Sequence, residues 1–435
     1  MKKFLLLVVV LFGALTLSAC FDKKVEVQGV TETTIKVGNT AAASGDYAGI
    51  GVPFNAGMRA YFKQINDAGG IDGRTIEFIT YDDMFDPAKG KTYTETLMYD
   101  DEVFAIVGHF GTPTVGATVN IIKDYGIPMV YAATGISQLY FEEDLGNSVL
   151  AVQPIYTTEG RTMAARAMKE SLFGAAGDAK LGATDKIGVL YTNDDVGNAI
   201  KAGIEKEATV LNRTSVMTYE VVTSDTATTA VNKLKTAGVK AVLLAMNQVP
   251  FAYTISAMHD VQLNVPIFTS YVNADTTAVD HLKTTADRPI YTNAWVDIFT
   301  VSGYAAYTAY ATTIANSDLD EASKTAYAGN SFAIAGYIAA YIFVEGLKRV
   351  EESGVELTWA NYIAAMESEL IQIPMGGTLD YSNGKRWGID ALSLLKYSYT
   401  LGDNPATTDV VETNFVTEVF TKVREIEVLA DIEAK

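Results

Sequence analysis

The sequence predicts an α/β protein of two Rossmann-like, doubly wound lobes, and three observations carry that reading. Short apolar strands alternate with single helices, an order that requires parallel pairing through right-handed crossovers. The alternation runs once from residue 34 and begins again near residue 186. At 435 residues the chain also exceeds what one core ordinarily organises, so two units fit better than one.

The first run opens at 34–38, where Ile35 and Val37 alternate with polar neighbours, followed by the turn Ser44-Gly45-Asp46. Asp46 is expected to cap the helix region that contains Pro53 or its turn, with ligand contact as the alternative. Phe54, Met58, Phe62 and Ile65 recur at helical spacing until Gly69-Gly70 stops that helix. Residues 75–81 form a strand ending in Asp82-Asp83. Neighbours at a strand end point to opposite faces, which argues against a paired-acid site there. A strand at 103–107 leads through a Gly/Thr/Pro loop to a helix near 118–124, and 127–131 is the next strand. In the second run, strands are expected at 187–191, 215–222, 241–246 and 266–269, with helices at 197–209, 227–237 and 251–259. Residues 329–352 are helical and apolar nearly all round, hence buried; a strand-rich tail follows Gly376-Gly377.

At the N-terminus, Lys2 and Lys3 precede an apolar run at 4–15, which Leu17-Ser18-Ala19-Cys20 closes with small residues. The pattern reads as an export signal over 1–19, short of the roughly 20 residues a bilayer span requires. The tetrapeptide resembles the lipobox of bacterial lipoproteins. That resemblance implies cleavage before Cys20, a lipid anchor on its thiol, and residence at the outer face of a bacterial membrane, in the periplasm or at the cell surface. Cys20 is the only cysteine, so no disulfide forms within one chain. The 33 basic and 52 acidic residues give −19, and −21 once the two lysines of the signal are lost. A surface this acidic excludes nucleic acid and argues against polybasic membrane binding.

The segment from 34 to 109 carries further motifs. Ile35-Lys36-Val37-Gly38, Ser44-Gly45-Asp46, Asn66-Asp67-Ala68-Gly69-Gly70-Ile71-Asp72-Gly73 and Tyr81-Asp82-Asp83 follow one another, then Asp86-Pro87 and Ile106-Val107-Gly108-His109. These resemble the leucine-binding branch of the type I periplasmic binding proteins, receptors of ABC importers for branched-chain and related amino acids or amides. The resemblance implies two lobes joined by three crossover strands, near 151–155, 292–297 and 377–379. Lobe one would comprise 34–152 and 297–377, and lobe two 153–296 and 378–435 with a C-terminal extension. Residues 401–435 lie beyond the stretch that can be matched.

The resemblance also implies the site. The loop Gly108-His109-Phe110-Gly111-Thr112-Pro113-Thr114 would offer a ligand carboxylate Gly111 and Thr112, with Thr114 close by. In Ala132-Ala133-Thr134-Gly135, Ala133 and Thr134 would meet the ligand's amino and carboxyl ends. Both loops equally admit a plainer reading, a helix start with Thr as its N-cap. Tyr47 is expected as a pocket wall and His109 as a structural residue. The acid that pairs with an amino acid's ammonium in these relatives aligns with Tyr271, and an aromatic position of the pocket falls near Asn247. Asp194 or Asp195 would then replace the acid, or cap the 197–209 helix. A buried ammonium without a counter-charge is strongly unfavourable. If neither aspartate reaches the cleft, the expected ligand lacks an ammonium. Phe332 is either an apolar wall or core.

Enzyme chemistry has little support. No Gly-x-Ser-x-Gly or His-Glu-x-x-His motif occurs, and His109, His259 and His281 lack metal-ligand spacing. The expected function is non-enzymatic and cofactor-free. A monomer captures a small amino acid, amide or carboxylate and hands it to an ABC permease. A ligand-sensing lipoprotein that signals to a receptor is the alternative.

Overall fold

The computed structural model describes residues 27–174, 177–275, 288–402 and 415–435; Cys20, the expected signal segment and His281 lie outside them. Strands β1 (Thr34–Ala41), β2 (Thr75–Asp82), β3 (Ala105–Val107), β4 (Met129–Val130) and β5 (Val149–Leu150) form a parallel sheet in the order β2-β1-β3-β4-β5. Helices α1 (Ala48–Asp67), α2 (Pro87–Tyr99) and α3 (Thr112–Tyr125) connect its strands. After α4 (Tyr156–Lys169) the second sheet begins with β6 (Ile187–Tyr191), α5 (Asp195–Val210), β7 (Met217–Val221), α6 (Ala227–Ala237), β8 (Ala241–Ala245), α7 (Gln248–Asp260), β9 (Ile267–Thr269) and β10 (Ile290–Ala294).

The chain then returns to the first unit through α8 (Val301–Ala315), α9 (Glu321–Tyr327), α10 (Ser331–Ser353) and α11 (Trp359–Ser368). A small antiparallel pair follows, β11 (Ile371–Gln372) with β12 (Thr378–Leu379). Finally β13 (Ala391–Gly402) and β14 (Phe415–Val428) form a long antiparallel hairpin, and α12 (Leu429–Glu433) ends the chain. The hairpin joins the second sheet, whose order is β14-β13-β10-β9-β8-β6-β7, with β13 antiparallel to β10.

The apolar helix predicted at 329–352 is α10, and it packs lengthwise on α1. Glycine makes that approach possible: a Cβ on Gly57 would lie 2.0 Å from the Ala333 carbonyl oxygen, and one on Gly336 1.8 Å from that of Phe54. Helices α3 and α7 begin earlier than expected, at Thr112 and Gln248. Pro113 and Pro250 sit in their first turns, where a missing N–H costs nothing, so proline marks the helix start. Residues 214–216 form a 3-10 turn ahead of β7 rather than part of a strand. Asp46 does not cap α1; the N-cap position is Tyr47, without a side-chain bond.

Three segments carry the chain between the sheets: after β5, after β10, and from 380 to 390, slightly later than the expected 377–379. The first and third run side by side, and the second passes the residues just before the third. Ile389 N–H donates to the Val152 carbonyl at 2.9 Å, and Asp297 N–H to that of Met375 at 2.6 Å. The end of the chain is fastened by charge. Arg166 of α4, fully buried, pairs with Glu170 at 3.0 Å and with Glu427 of β14 at 3.1 Å. Arg424 and Lys435 also bind Glu170, and Arg161 reaches Glu433.

Candidate functional site: a cavity between two sheets

Loops at the carboxyl ends of both sheets enclose a cavity of about 500 Å³. Open α/β sheets bind ligands at such ends. The first sheet contributes Gly111 and Thr112 after β3, Ala133 after β4, and Tyr47, Ile50 and Phe54 around the start of α1. Facing them are Asn247 and Gln248 after β8, Tyr271 and Val272 after β9, and Ala294 and Trp295 at the end of β10. Phe332 of α10 closes one side.

At the polar end, the backbone of Gly111 takes φ 97°, and a Cβ there would meet the Phe85 ring at 2.9 Å. Gly111 is the N-cap of α3 and offers no side chain. The first-turn N–H groups of α3 therefore lack intrahelical acceptors, at the positive end of the helix dipole. Beside them Thr112 Oγ1 shares a hydrogen bond with Thr134 Oγ1 at 2.8 Å and approaches Tyr156 Oη at 3.4 Å. Such an arrangement suits a carboxylate or carbonyl oxygen.

The remaining wall is largely apolar. Tyr47 stacks on Phe85 with centroids 3.9 Å apart; burial, with Asp194 beside it, pushes the Tyr47 hydroxyl up to about 12. Tyr271 presents its ring, because its hydroxyl donates to the Pro154 carbonyl at 3.0 Å and its N–H to Glu159 Oε1 at 2.6 Å. Glu159, fully buried, also accepts from Ser270 Oγ; desolvation pushes its carboxyl up to about 8.

Of the expected site residues, Tyr47, Gly111, Thr112, Ala133, Asn247, Tyr271 and Phe332 line the cavity. Four stand behind or beside it. Thr114 donates to the buried Asp83 Oδ2 at 2.9 Å. Thr134 backs Thr112. Asp194 is the N-cap of α5, accepting from Gly197 N–H at 2.8 Å and Thr192 Oγ1 at 2.9 Å, so its geometry satisfies the helix. Asp195 lies in the first turn of α5, its carboxylate turned toward Gly116 of α3. His109 is buried, bonded to Thr118 Oγ1 at 2.9 Å, and desolvation drives it down to about 3. Asp82 and Asp83 do face apart: Asp82 accepts from Ser44 Oγ, and Asp83 from Thr40 Oγ1.

Sequence reasoning missed Asp275, the one acidic residue lining the cavity among those described. Its Oδ2 accepts from Ser331 Oγ at 2.6 Å and from Ser331 N–H at 3.3 Å, joining the loop after β9 to the start of α10. Gln153, Trp295, Leu395, Val419 and Phe420 were missed as well. An acid two residues beyond Asn273 was the only signal available for Asp275.

Two α/β units that enclose a mainly apolar cavity with one polar end, and are joined by three chain crossings, define a two-lobed ligand receptor. The chain belongs to the periplasmic binding protein family, which matches residues 34–388. Its curated relatives are of the leucine-binding type. One is the leucine-, isoleucine-, valine-, threonine- and alanine-binding protein of Pseudomonas aeruginosa, 31% identical over 97 residues, or 22% of this chain and 26% of the relative. Another is Leu/Ile/Val-binding protein homolog 1 of Brucella abortus, 31% identical over 126 residues and 29% of each chain. The chain thus aligns with under a third of these relatives' lengths.

Solved structures match far more of it. A fatty acid ABC transporter substrate-binding protein from Thermomonospora curvata has a TM-score of 0.69 at 20% identity, covering 94% of this chain and 97% of its own. A branched chain amino acid ABC transporter structure from Thermus thermophilus, with bound valine, has 0.69 at 14% identity, covering 93% and 100%. An ABC transporter solute binding protein from R. palustris in complex with benzoate has 0.65 at 17%, covering 91% and 98%. At these identities the likeness establishes the fold.

Proposed function

We propose that this chain is the extracytoplasmic substrate-binding protein of an ABC transporter, tethered to a membrane through Cys20. It captures a small carboxylate- or amide-bearing molecule between the two sheets and delivers it to a permease without altering it chemically. The observation that carries the reading is the cavity itself. Both units wall it, and it has one polar end at Gly111 and Thr112. Closure by motion about the three crossings would bury the ligand, and differential affinity for the closed form would drive that shift.

The wall leaves one acid for a ligand ammonium. Neither Asp194 nor Asp195 lines the cavity, but Asp275 does, and the neutral hydroxyl and N–H of Ser331 that it accepts from leave its charge in place. Of the structural neighbours, one holds valine, one holds benzoate and one belongs to a fatty acid transporter, so the fold alone leaves the ligand open. A thermal-shift screen of the purified chain against amino acids, amides and carboxylates tests the reading. A ligand at 100 times its dissociation constant should add about 2.7 kcal/mol of stability. No shift with any compound would contradict capture of a small ligand.

A further inference from the structure

The cavity extends well beyond the polar end, and its far wall is the C-terminal hairpin. Leu395 of β13 and Val419 and Phe420 of β14 line it, together with Ile298 and Phe299 of the second crossing. Five adjacent strands of the second sheet (β8, β9, β10, β13 and β14) thus place residues on one cavity, at their ends or along their length. At about 4.8 Å per strand, that row spans about 19 Å. Leucine has nine non-hydrogen atoms. Even at the roughly 30 Å³ share of a water molecule each, they fill about 270 Å³, little more than half of the cavity of about 500 Å³, part of which is open to solvent.

The hairpin is fixed in place rather than draped. Lys422 Nζ reaches Asp297 Oδ2 at 3.1 Å, tying β14 to the second crossing. Phe420 packs edge-on against Tyr397, centroids 5.7 Å apart. No lysine, arginine or histidine lines the cavity among the described residues, and the far end is wholly apolar. Phe299 and Val419, both in the lining, are 45% and 43% exposed, so this part of the cavity is reached by solvent.

We propose that the C-terminal hairpin is a specificity-determining wall and that the ligand carries an extended apolar tail, an alkyl or arylalkyl chain reaching from the polar end toward Leu395 and Phe420. This rests on the receptor reading above, which supplies the head-group site. The test is calorimetric titration of the purified, delipidated full chain with butanoate, octanoate, dodecanoate, benzoate and leucine, alongside Trp295 fluorescence. Affinity should rise about fourfold per added methylene until the channel is filled. Val419→Trp should weaken dodecanoate at least tenfold and leave butanoate unchanged. Phe299→Ala should selectively weaken the longer acids in the same way. Both sites are surface-exposed, so neither change threatens folding. Binding of leucine, benzoate or butanoate with no gain from chain length would overturn the tail proposal and leave the receptor standing. So would equal losses for short and long acids in both variants. Silence of every probe would overturn the receptor reading as well.

Discussion

The cavity wall from the first sheet is local: a few loop residues at strand ends, backed by hydroxyls and one buried aspartate. The wall from the second sheet is assembled from five strands and a hairpin that arrives last in the chain, fastened by ion pairs to α4. In the first wall Thr112 is placed to grip a head group, with Thr134 bonded behind it, while Thr114 and Asp83 bond each other and support the loop. In the second, the ion pairs that hold the hairpin lie behind apolar side chains, and Asp275 is the one acidic residue at the cavity among those described. A receptor built this way can keep its grip while its far wall is rebuilt for another ligand shape.

The largest expected effect strikes the second wall. Arg166→Ala leaves Glu170 buried with one partner fewer and should cost about 3–5 kcal/mol in urea unfolding at neutral pH. A loss below about 1 kcal/mol would mean the hairpin is not held by this network.

The two walls should also weaken at opposite ends of the pH scale. Behind the second, Glu159 is raised from 4.5 to about 8, so the folded chain holds a proton the unfolded chain releases. Its contribution is full below about pH 4.5 and is lost as pH rises through about 8. Behind the first, His109 is lowered from 6.5 to about 3, so the unfolded chain binds the extra proton. That contribution is full above about pH 6.5 and is lost as pH falls through about 3. A tenfold change in proton affinity is worth about 1.4 kcal/mol, so each group contributes on the order of a few kcal/mol. Measured from pH 4 to 9, stability should lose its fall between about pH 4.5 and 8 in Glu159→Gln and part of its rise between about pH 4 and 6.5 in His109→Gln. Unchanged slopes would contradict the burial of these groups.

Within the first wall, grip and support should separate. Thr114→Val removes a donor from buried Asp83 and should cost about 1–3 kcal/mol of stability with ligand affinity nearly unchanged. Thr112→Val should instead lower affinity about tenfold. Equal behaviour of the two would erase the distinction. The smallest effect belongs to a solvent-side pair of the first unit: Lys63→Ala, which breaks the 2.7 Å contact with Asp67, should leave the urea midpoint unchanged within error.

The first wall was legible in the sequence because its chemistry is local. Gly111 and Thr112 follow an apolar strand and precede a helix, and Tyr47 opens α1. The second wall was not. Asp275 acquires its place from Ser331, 56 residues further on, across two units. Strand β14 mixes Thr421, Lys422, Arg424 and Glu425 with apolar residues, a pattern of a solvated edge rather than a cavity. Asp194 carried two readings, and hydrogen-bond geometry chose the helix cap, because Gly197 N–H lies three residues away whatever the ligand. Prolines obscured two helix starts for a related reason, since the same residue that breaks a helix interior suits its first turn.

The most direct test is calorimetric titration of the wild-type chain and Ala133→Phe with the tightest ligand from the screen. Ala133 lines the polar end, so a phenyl group there occupies the head-group space. One site per chain with a negative heat-capacity change, abolished in a still-folded Ala133→Phe, is the predicted result. Equal binding by both proteins would place the ligand somewhere other than the cavity between the sheets.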